Sequence, residues 1–293
     1  MIILSYMPGQ LGNSLVYFSH FIAFGREVGI RIINPAFWNY SDYFKGPKNS
    51  FFSSYPENVA GILLPLFSKS LVQGIFSRIR ITYLNSTKSI FKIKTIVAND
   101  MQDHFIISEA YKQGKFGKNE IIFPHGYFFR DPKNLIKHKD TVISYFSLCP
   151  EFLKKVEFTD KLARKNCELL IGIHIRQGDY RNYVNGKYFY TIQDYTNMMK
   201  GIEKLLVGKK ITFLICSDSV LSESMFSGLS CLVSNGNAVE DMYSLSNCDF
   251  IAGPPSSFSA WAAFYGDVPL YIMWTPTPPI SLKEFSRYDV PPV

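Results

Sequence analysis

The stretch Leu169–Tyr180 reads LLIGIHIRQGDY and decides the fold of the chain. It opens with a continuous apolar run, which is typical of a β-strand buried on both faces of a parallel sheet. It then turns polar at His174, Arg176 and Asp179, with Gly178 suited to a tight turn. In open α/β sheets, ligands bind at the carboxyl ends of the strands. The stretch therefore predicts an α/β protein with a ligand site after this strand.

Arg176 and Asp179 are the charged residues of this turn. The Arg176 guanidinium carries a planar fork of N–H donors that suits phosphate oxygens. Two interpretations of Asp179 are open: its carboxylate takes a proton during catalysis, or it anchors Arg176 as a structural partner. A strand followed by a polar turn that binds nothing would show the same pattern.

Two other predicted strands also end in polar residues. The apolar run 211–216 leads to Asp218, whose carboxylate can accept two N–H bonds from a guanine base or cap a helix that begins at Val220. A second run leads to Ser256 and Ser257, which either cap a helix or present its first N–H groups to a phosphate. These residues indicate either a nucleotide site at the same edge of the sheet or two ordinary helix caps.

The N-terminal segment also shows a predicted strand followed by a turn and the start of a helix. Met1–Tyr6 is β-prone, Gly9–Asn13 reads GQLGN, and residues 13–28 show helical spacing of apolar residues. We expect Asn13 to be the N-cap of this helix, and the backbone around Gly12 and Asn13 to meet a phosphate. The alternative is an ordinary first β–α turn.

Composition limits the classes of protein and partner. The 293 residues and the alternation of strand and helix patterns predict two domains, 1–149 and 150–293. Five scattered cysteines with no C-x-x-C pair argue against structural zinc and a disulfide framework. The net charge of +7 favours an anionic partner, but no nucleic-acid-binding motif accompanies it.

Residues 58–99 contain no acidic residue and interleave Lys and Arg with apolar side chains. Such a segment either lies on an anionic membrane surface or forms buried helices with a solvated basic face. The first ten residues lack the features of a signal peptide, and the sequence has no apolar run of about 18 residues. We therefore expect a cytoplasmic protein, with a peripheral contact at the inner membrane face as a further hypothesis.

Several of these motifs carry a resemblance to a known family. The segment 174–180, HIRQGDY, resembles the H-x-R-R-G-D-Y motif of the α-1,2-fucosyltransferase family, with Gln177 in place of the second Arg. Residues 9–13 resemble its G-G-L-G-N turn, and 217–219 resemble its S-D-D element with Ser219 at the end. A C-terminal motif of the family is matched by Asp241, Leu245, Ser246, Cys248, Ser256, Ser257, Phe258, Ser259 and Trp261. Residues 35–120 show no such match.

The resemblance implies two Rossmann-like domains that face each other across a cleft, the GT-B arrangement. It implies transfer of L-fucose from GDP-L-fucose, with inversion, without a metal ion or other cofactor. The expected catalytic residues are Arg176 and Asp179, and Asp241 is expected to hold the loops together. The expected donor-binding residues are Gly12, Asn13, His174, Arg176, Asp218, Ser256, Ser257 and Phe258.

The acceptor implied by the family is an oligosaccharide or a lipid-linked glycan bound by the first domain. An α-1,2 linkage in surface polysaccharide synthesis is the expectation, and another linkage or GDP-sugar donor is the first alternative. The departures at Gln177, Ser219 and Ala260 leave open a degenerate GDP-binding module without catalysis.

Overall fold

The computed structural model describes residues 1–50, 52–57, 74–79, 92–99, 105–276 and 280–292. The chain forms two compact units, Met1–Cys149 and Pro150–Val293. Both are built on parallel sheets.

The first unit contains a four-stranded parallel sheet and a separate two-stranded parallel pair. Its strands are β1 (Ile2–Ile3), β2 (Ile32–Ile33), β3 (Ile93–Val97), β4 (Phe105–Ile106), β5 (Ile121–His125) and β6 (Phe129–Arg130). The sheet order is β2-β1-β5-β3, and β4 pairs with β6. The described helices are α1 (Leu11–Val28), α2 (Lys45–Lys48), α3 (74–79), α4 (Ile107–Lys112), α5 (Pro132–Lys137) and α6 (Lys139–Tyr145).

Helix α1 is the centre of this unit because it is apolar on nearly all sides. The Phe18 ring lies 5.6 Å from the rings of Phe37, Tyr145 and Phe146 in edge-on contacts. Such tilted aromatic pairs add to the stabilisation that comes from burial alone. The aromatic content of the first unit therefore serves its core.

The predicted N-cap of α1 was wrong. The helix begins at Leu11, so Gln10 occupies the cap position without a side-chain hydrogen bond to the helix. Gly9, with φ at 67°, turns the chain early enough for the helical conformation to start before Asn13. Gly12 and Asn13 consequently belong to the first helical turn.

The second unit contains a five-stranded parallel sheet. Its strands are β7 (Leu169–Ile175), β8 (Ile211–Ser217), β9 (Cys231–Val233), β10 (Phe250–Gly253) and β11 (Leu270–Ile272). The order β9-β8-β7-β10-β11 is that of a Rossmann fold, with the direction of winding reversing between β7 and β10. The predicted α/β class with parallel sheets is therefore confirmed.

The helices of this unit are α7 (Pro150–Ala163), α8 (Ile192–Leu205), α9 (Ala238–Leu245) and α10 (Ser257–Gly266). Strand β7 is buried along nearly its whole length, as its apolar run predicts. The helix that Asp218 was considered to cap is not found: the chain forms only a short 3₁₀ turn at Glu223–Phe226. Asp218 therefore belongs to a polar strand end and caps no helix.

The basic segment 58–99 lies mostly outside the described residues. Of this segment, only 74–79 and 92–99 are described. Across the described ranges of the chain, no helix is both long enough and apolar enough to cross a bilayer.

Candidate active site

The carboxyl edge of the second sheet brings together most of the predicted site residues. His174 pairs in register with Cys216 of β8, so Asp218 follows at the neighbouring strand end. On the other side, Ile173 is paired with Ala252 of β10, and the chain continues from there to Ser256. The site therefore lies where the winding of the sheet reverses, which is where Rossmann-type sheets bind ligands.

Arg176 is held by two carboxylates. Its Nε and Nη2 donate to Oδ1 and Oδ2 of Asp179 at 2.8 and 2.9 Å, and its Nε lies 3.2 Å from Oδ2 of Asp218. The Arg176 side chain is only 14% exposed. Burial alone would lower its pKa, but these carboxylates raise it, so the guanidinium stays charged.

Asp179 acts here as the partner of Arg176. The bidentate hydrogen bonds lower the pKa of the Asp179 carboxyl. A carboxylate with a lowered pKa that is bound to a guanidinium is a weak proton acceptor. Of the two interpretations of Asp179, the geometry favours the anchor over the general base that we had predicted.

Asp218 organises the loop after β7. Its Oδ1 accepts the N–H of Gln177 at 2.8 Å, and its Oδ2 accepts the N–H of Gly178 at 3.1 Å. A side chain at 178 would press on this carboxylate, because a Cβ there would lie 2.9 Å from Oδ2 of Asp218. Both oxygens are thus engaged within the protein, whereas we had predicted that they face a guanine base.

His174 forms a buried, neutral part of the site. Its ring stacks on Phe258 of α10, with centroids 4.7 Å apart and planes 26° apart. Burial lowers its pKa to about 3, and its Nδ1 has no hydrogen-bond partner among the described residues. The stack depends on close packing, since a Cβ at Gly253 would lie 2.9 Å from Cβ of His174.

The N-terminus of α10 is tied to the same loop. Ser256 is its N-cap, and its Oγ accepts the N–H of Phe258 at 3.2 Å. The Tyr180 hydroxyl donates to the carbonyl oxygen of Pro255 at 2.5 Å. Ser257 is the first residue of the helix, so its N–H is among the donors that helix geometry leaves without an internal partner.

Asp241 lies in the first turn of α9 and is almost completely buried. The Ser234 hydroxyl, at the carboxyl end of β9, donates to its Oδ1. Burial raises the pKa of Asp241 to about 7. No partner of its Oδ2 is found among the described residues, so Asp241 is bonded to the segment after β9 through Oδ1 and retains an open second oxygen.

The first unit carries Gly12 and Asn13 in the opening turn of α1. Sequence reasoning missed three buried polar side chains of this unit. Ser5 follows β1, Asn34 follows β2, and Ser14 lies in the same helical turn as Gly12 and Asn13. Their Ser Oγ and Asn Oδ1 atoms have no hydrogen-bond partner among the described residues. A small polar residue near the carboxyl end of a short apolar, β-prone run is the signal that could have identified Ser5 and Asn34.

The described part of the chain contains no group of three or more His, Cys, Asp or Glu residues that could hold a metal ion. The carboxyl edge of the second sheet carries the positive charge of Arg176 and the N–H donors at the start of α10. This set can bind a phosphorylated ligand and stabilise negative charge on a leaving phosphate.

Comparison of the fold with solved structures finds fucosyltransferases. FUT1 of Arabidopsis thaliana, solved as an arginine-to-lysine variant with GDP, has a TM-score of 0.61 at 14% identity, covering 97% of this chain and 72% of that one. The α-1,6-fucosyltransferase NodZ of Bradyrhizobium, soaked with GDP-fucose, has a TM-score of 0.56 at 16% identity, covering 92% and 94%. At such identities the likeness concerns the fold. No sequence among the curated proteins matches the chain.

A Rossmann-type sheet with an arginine and a helix N-terminus at its switch point is an arrangement that can bind a phosphorylated ligand. Residues 50–273, more than half of the chain, match the family described as Glycosyl transferase family 11. The chain therefore belongs to glycosyl transferase family 11, and the fold is that of the fucosyltransferase structures.

Proposed function

We propose that the protein transfers L-fucose from GDP-L-fucose to a hydroxyl group of a glycan, with inversion at the sugar carbon. The observation that carries the proposal is the Arg176 guanidinium, buried and held by Asp179 and Asp218 at the reversal point of the sheet. The family membership and the GDP and GDP-fucose bound in FUT1 and NodZ support the choice of donor.

In the proposed reaction, the bond between the fucose carbon and the β-phosphate oxygen breaks. The acceptor oxygen forms the new bond to that carbon and releases its proton to solvent water, and GDP leaves with one more negative charge than it carries in GDP-fucose. Arg176 and the first N–H groups of α10 neutralise this charge, since they are fixed before the reaction begins. Asp179 and Asp218 keep the guanidinium oriented, so they are positioning residues.

The guanine base requires an oxygen acceptor for its N–H edge. Both oxygens of Asp218 already accept backbone N–H groups, whereas Oδ2 of Asp241 has no partner in the described chain. We therefore assign the contact with guanine to Asp241 and retain Asp218 as support for Arg176. His174 and Phe258 form a stacked aromatic pair at the same sheet edge.

The acceptor side is proposed on the family resemblance. An oligosaccharide or a lipid-linked glycan, an α-1,2 linkage and a role in surface polysaccharide synthesis remain proposals of this kind. Phosphate contacts by Gly12 and Asn13 belong with them. We also propose a cytoplasmic location, a peripheral membrane contact through residues 58–99, and activity without a metal ion.

The first experiment is calorimetric titration with GDP, UDP, ADP and CDP in buffer without divalent metal. We expect GDP to bind selectively, at roughly micromolar Kd on the usual scale. Asp241→Asn should reduce the preference for GDP over ADP, whereas Asp218→Asn should weaken all four nucleotides alike because it loosens Arg176. Equal binding of all four nucleotides by the unmodified protein would refute the donor assignment.

Turnover is tested separately with GDP-fucose and a panel of glycans. Product with an α-1,2 bond is the expected result. Selective GDP binding without transfer to any glycan would instead identify a GDP-binding module without catalysis, and transfer from another GDP-sugar would correct the donor.

A further inference from the structure

The first unit contains a cavity where helix α1 ends and strand β2 begins. Its volume is about 370 Å³, which is within the range of small-molecule sites. The lining comes from the last turns of α1, the connection to β2 and the segment beside β2, and consists of Gly25, Arg26, Gly29, Arg31, Tyr55, Pro56 and Glu57. The cavity therefore lies at the amino edge of the first sheet, away from the carboxyl edge where Rossmann-type sheets bind ligands.

The wall of this cavity is held in place by the backbone. Ile32 and Tyr55 exchange two backbone hydrogen bonds of 2.8 Å each, so the segment that carries Tyr55 is fixed against β2. The connection from α1 is tight, since a Cβ at Gly25 would lie 2.7 Å from the carbonyl oxygen of Ile30. A wall that is already ordered reduces the entropy lost when a ligand binds.

Positive charge predominates around the cavity. The Arg26 side chain is hydrogen-bonded to the buried Tyr55. Neither Arg26 nor Arg31 forms an ion pair with a carboxylate in the described ranges of the chain. Lys118 adds a third cation nearby, because its Nζ would lie 3.9 Å from a Cβ at Gly29. The two guanidinium groups are thus available to an anion.

The cavity also presents hydrogen-bond acceptors. Helix α1 ends at Val28, and the last turn of a helix leaves carbonyl oxygens without partners inside the helix. Glu57 contributes a carboxylate, whose Oε2 accepts the side-chain amide of Asn49 at 3.0 Å. These acceptors and the negative end of the helix dipole disfavour an anion beside them and suit hydroxyl groups. The cavity is therefore complementary to a molecule that carries both an anionic group and hydroxyl donors.

We propose that this cavity binds a sugar phosphate, with the phosphate at Arg26 and Arg31 and the sugar hydroxyls at Glu57 and the end of α1. A phosphate monoester carries about −1.5 to −2 charge at pH 7 and three acceptor oxygens, which match two guanidinium groups better than a single carboxylate does. The cavity lies in the first unit and the Arg176 site in the second, so this inference does not rest on the proposed function.

The test is calorimetric titration of the full chain with glucose 6-phosphate in the presence of saturating GDP. The same titration of Arg176→Ala without GDP excludes binding at the proposed donor site. We expect one molecule to bind per chain in both titrations. Arg26→Ala and Arg31→Ala should each raise the Kd about tenfold, since a hydrogen bond to a charged group is worth roughly that factor. Arg31→Lys should have a smaller effect, because lysine keeps the charge but lacks the planar fork.

Lys133→Ala is the matched control, because it removes one positive charge from an exposed position of α5 in the same unit and should leave the Kd unchanged. Urea midpoints of all variants show that they are folded. Inorganic phosphate should bind more weakly than glucose 6-phosphate, and glucose alone should not bind.

Three results would overturn the proposal. The first is no binding of glucose 6-phosphate in either titration, and the second is an unchanged Kd in both arginine-to-alanine variants. The third is binding of glutamate as tight as that of glucose 6-phosphate, which would identify a site for a molecule with a carboxylate and an ammonium group. Failure of GDP to bind would instead refute the donor assignment in the second unit and leave the Arg176→Ala titration as a complete test of this cavity.

Discussion

The carboxyl edges of the two parallel sheets differ in how their polar side chains are satisfied. In the second unit, Arg176 is bonded to Asp179, and Asp218 is bonded to the backbone after β7. In the first unit, the buried polar atoms of Ser5, Ser14 and Asn34 have no partner among the described residues. The charged side chains of the second edge are thus bonded to one another or to the backbone without a ligand, although Nδ1 of His174 has no partner among the described residues, whereas these polar atoms of the first edge are unbonded.

This difference indicates two ways of preparing a sheet edge for binding. A buried polar atom without a partner costs about 1–3 kcal/mol, and a ligand that supplies a hydrogen bond removes that cost. A network whose groups are already bonded keeps a charge oriented before the ligand arrives. The second edge therefore suits stabilisation of a leaving group, and the first suits recognition of polar groups.

The largest expected effect is that of Arg176→Ala on catalysis. Removing the charged donor from the second edge should reduce kcat for fucosyl transfer by about 10³-fold, since loss of one fixed donor costs about 10²–10³-fold and this donor is also charged. Initial rates at saturating GDP-fucose measure the effect. Arg287→Ala, which removes an exposed arginine bonded to Asp267, is the matched control and should retain full activity. A loss of less than tenfold in Arg176→Ala would contradict the comparison.

The next effect concerns Asp241 and the pH dependence of stability. Its pKa is about 7 in the folded protein against a usual 3.8, so between these pH values the folded state holds a proton that the unfolded state has lost. The free energy of unfolding should therefore fall as the pH rises from about 4 to 7, by roughly 4 kcal/mol from this group.

Asp241→Asn removes the titrating group and should flatten this part of the profile. Urea unfolding at a series of pH values measures it, with Asp267→Asn at an exposed position as the control. If the free energy of unfolding of Asp241→Asn falls with pH as steeply as that of the unmodified protein, the Asp241 carboxyl does not cause the pH dependence.

The smallest effect separates the two edges directly by comparing two serine-to-alanine changes. Ser256→Ala removes the N-cap of α10 and should lower the free energy of unfolding by about 1 kcal/mol. Ser14→Ala removes a buried hydroxyl without a partner, so stability should stay equal or rise by up to about 1 kcal/mol. Urea midpoints of the two variants, measured side by side, test this, and equal destabilisation would show that the first edge is already satisfied.

The parallel sheets could be predicted from sequence because an apolar run followed by polar residues is a local pattern. Leu169–Ile175 carries that pattern, and the structure confirms the strand and its place in an α/β fold. The arrangement around Arg176 was predictable in part, since Asp179 stands three residues away and one of its two interpretations was an anchor.

Partners distant in the chain could not be assigned. The pairing of Asp218 with the N–H groups of Gln177 and Gly178 spans about 40 residues and depends on β7 and β8 being neighbours. The open oxygen of Asp241 depends on where Ser234 lies after β9. The start of α1 was misplaced because Asn13 is a good cap by residue type, whereas the turn at Gly9 sets the boundary.

The position of the site between β7 and β10 has a consequence for folding kinetics. Strand β10 pairs with β7 through Phe250 and Ile171, about 80 residues apart in the chain. Closing so long a loop is slow compared with forming helices or neighbouring strand pairs, so Arg176 and the start of α10 become neighbours late in folding. The proposed nucleotide site is therefore complete only after β10 has paired with β7, and a nucleotide that binds the folded unit as proposed would stabilise it by mass action.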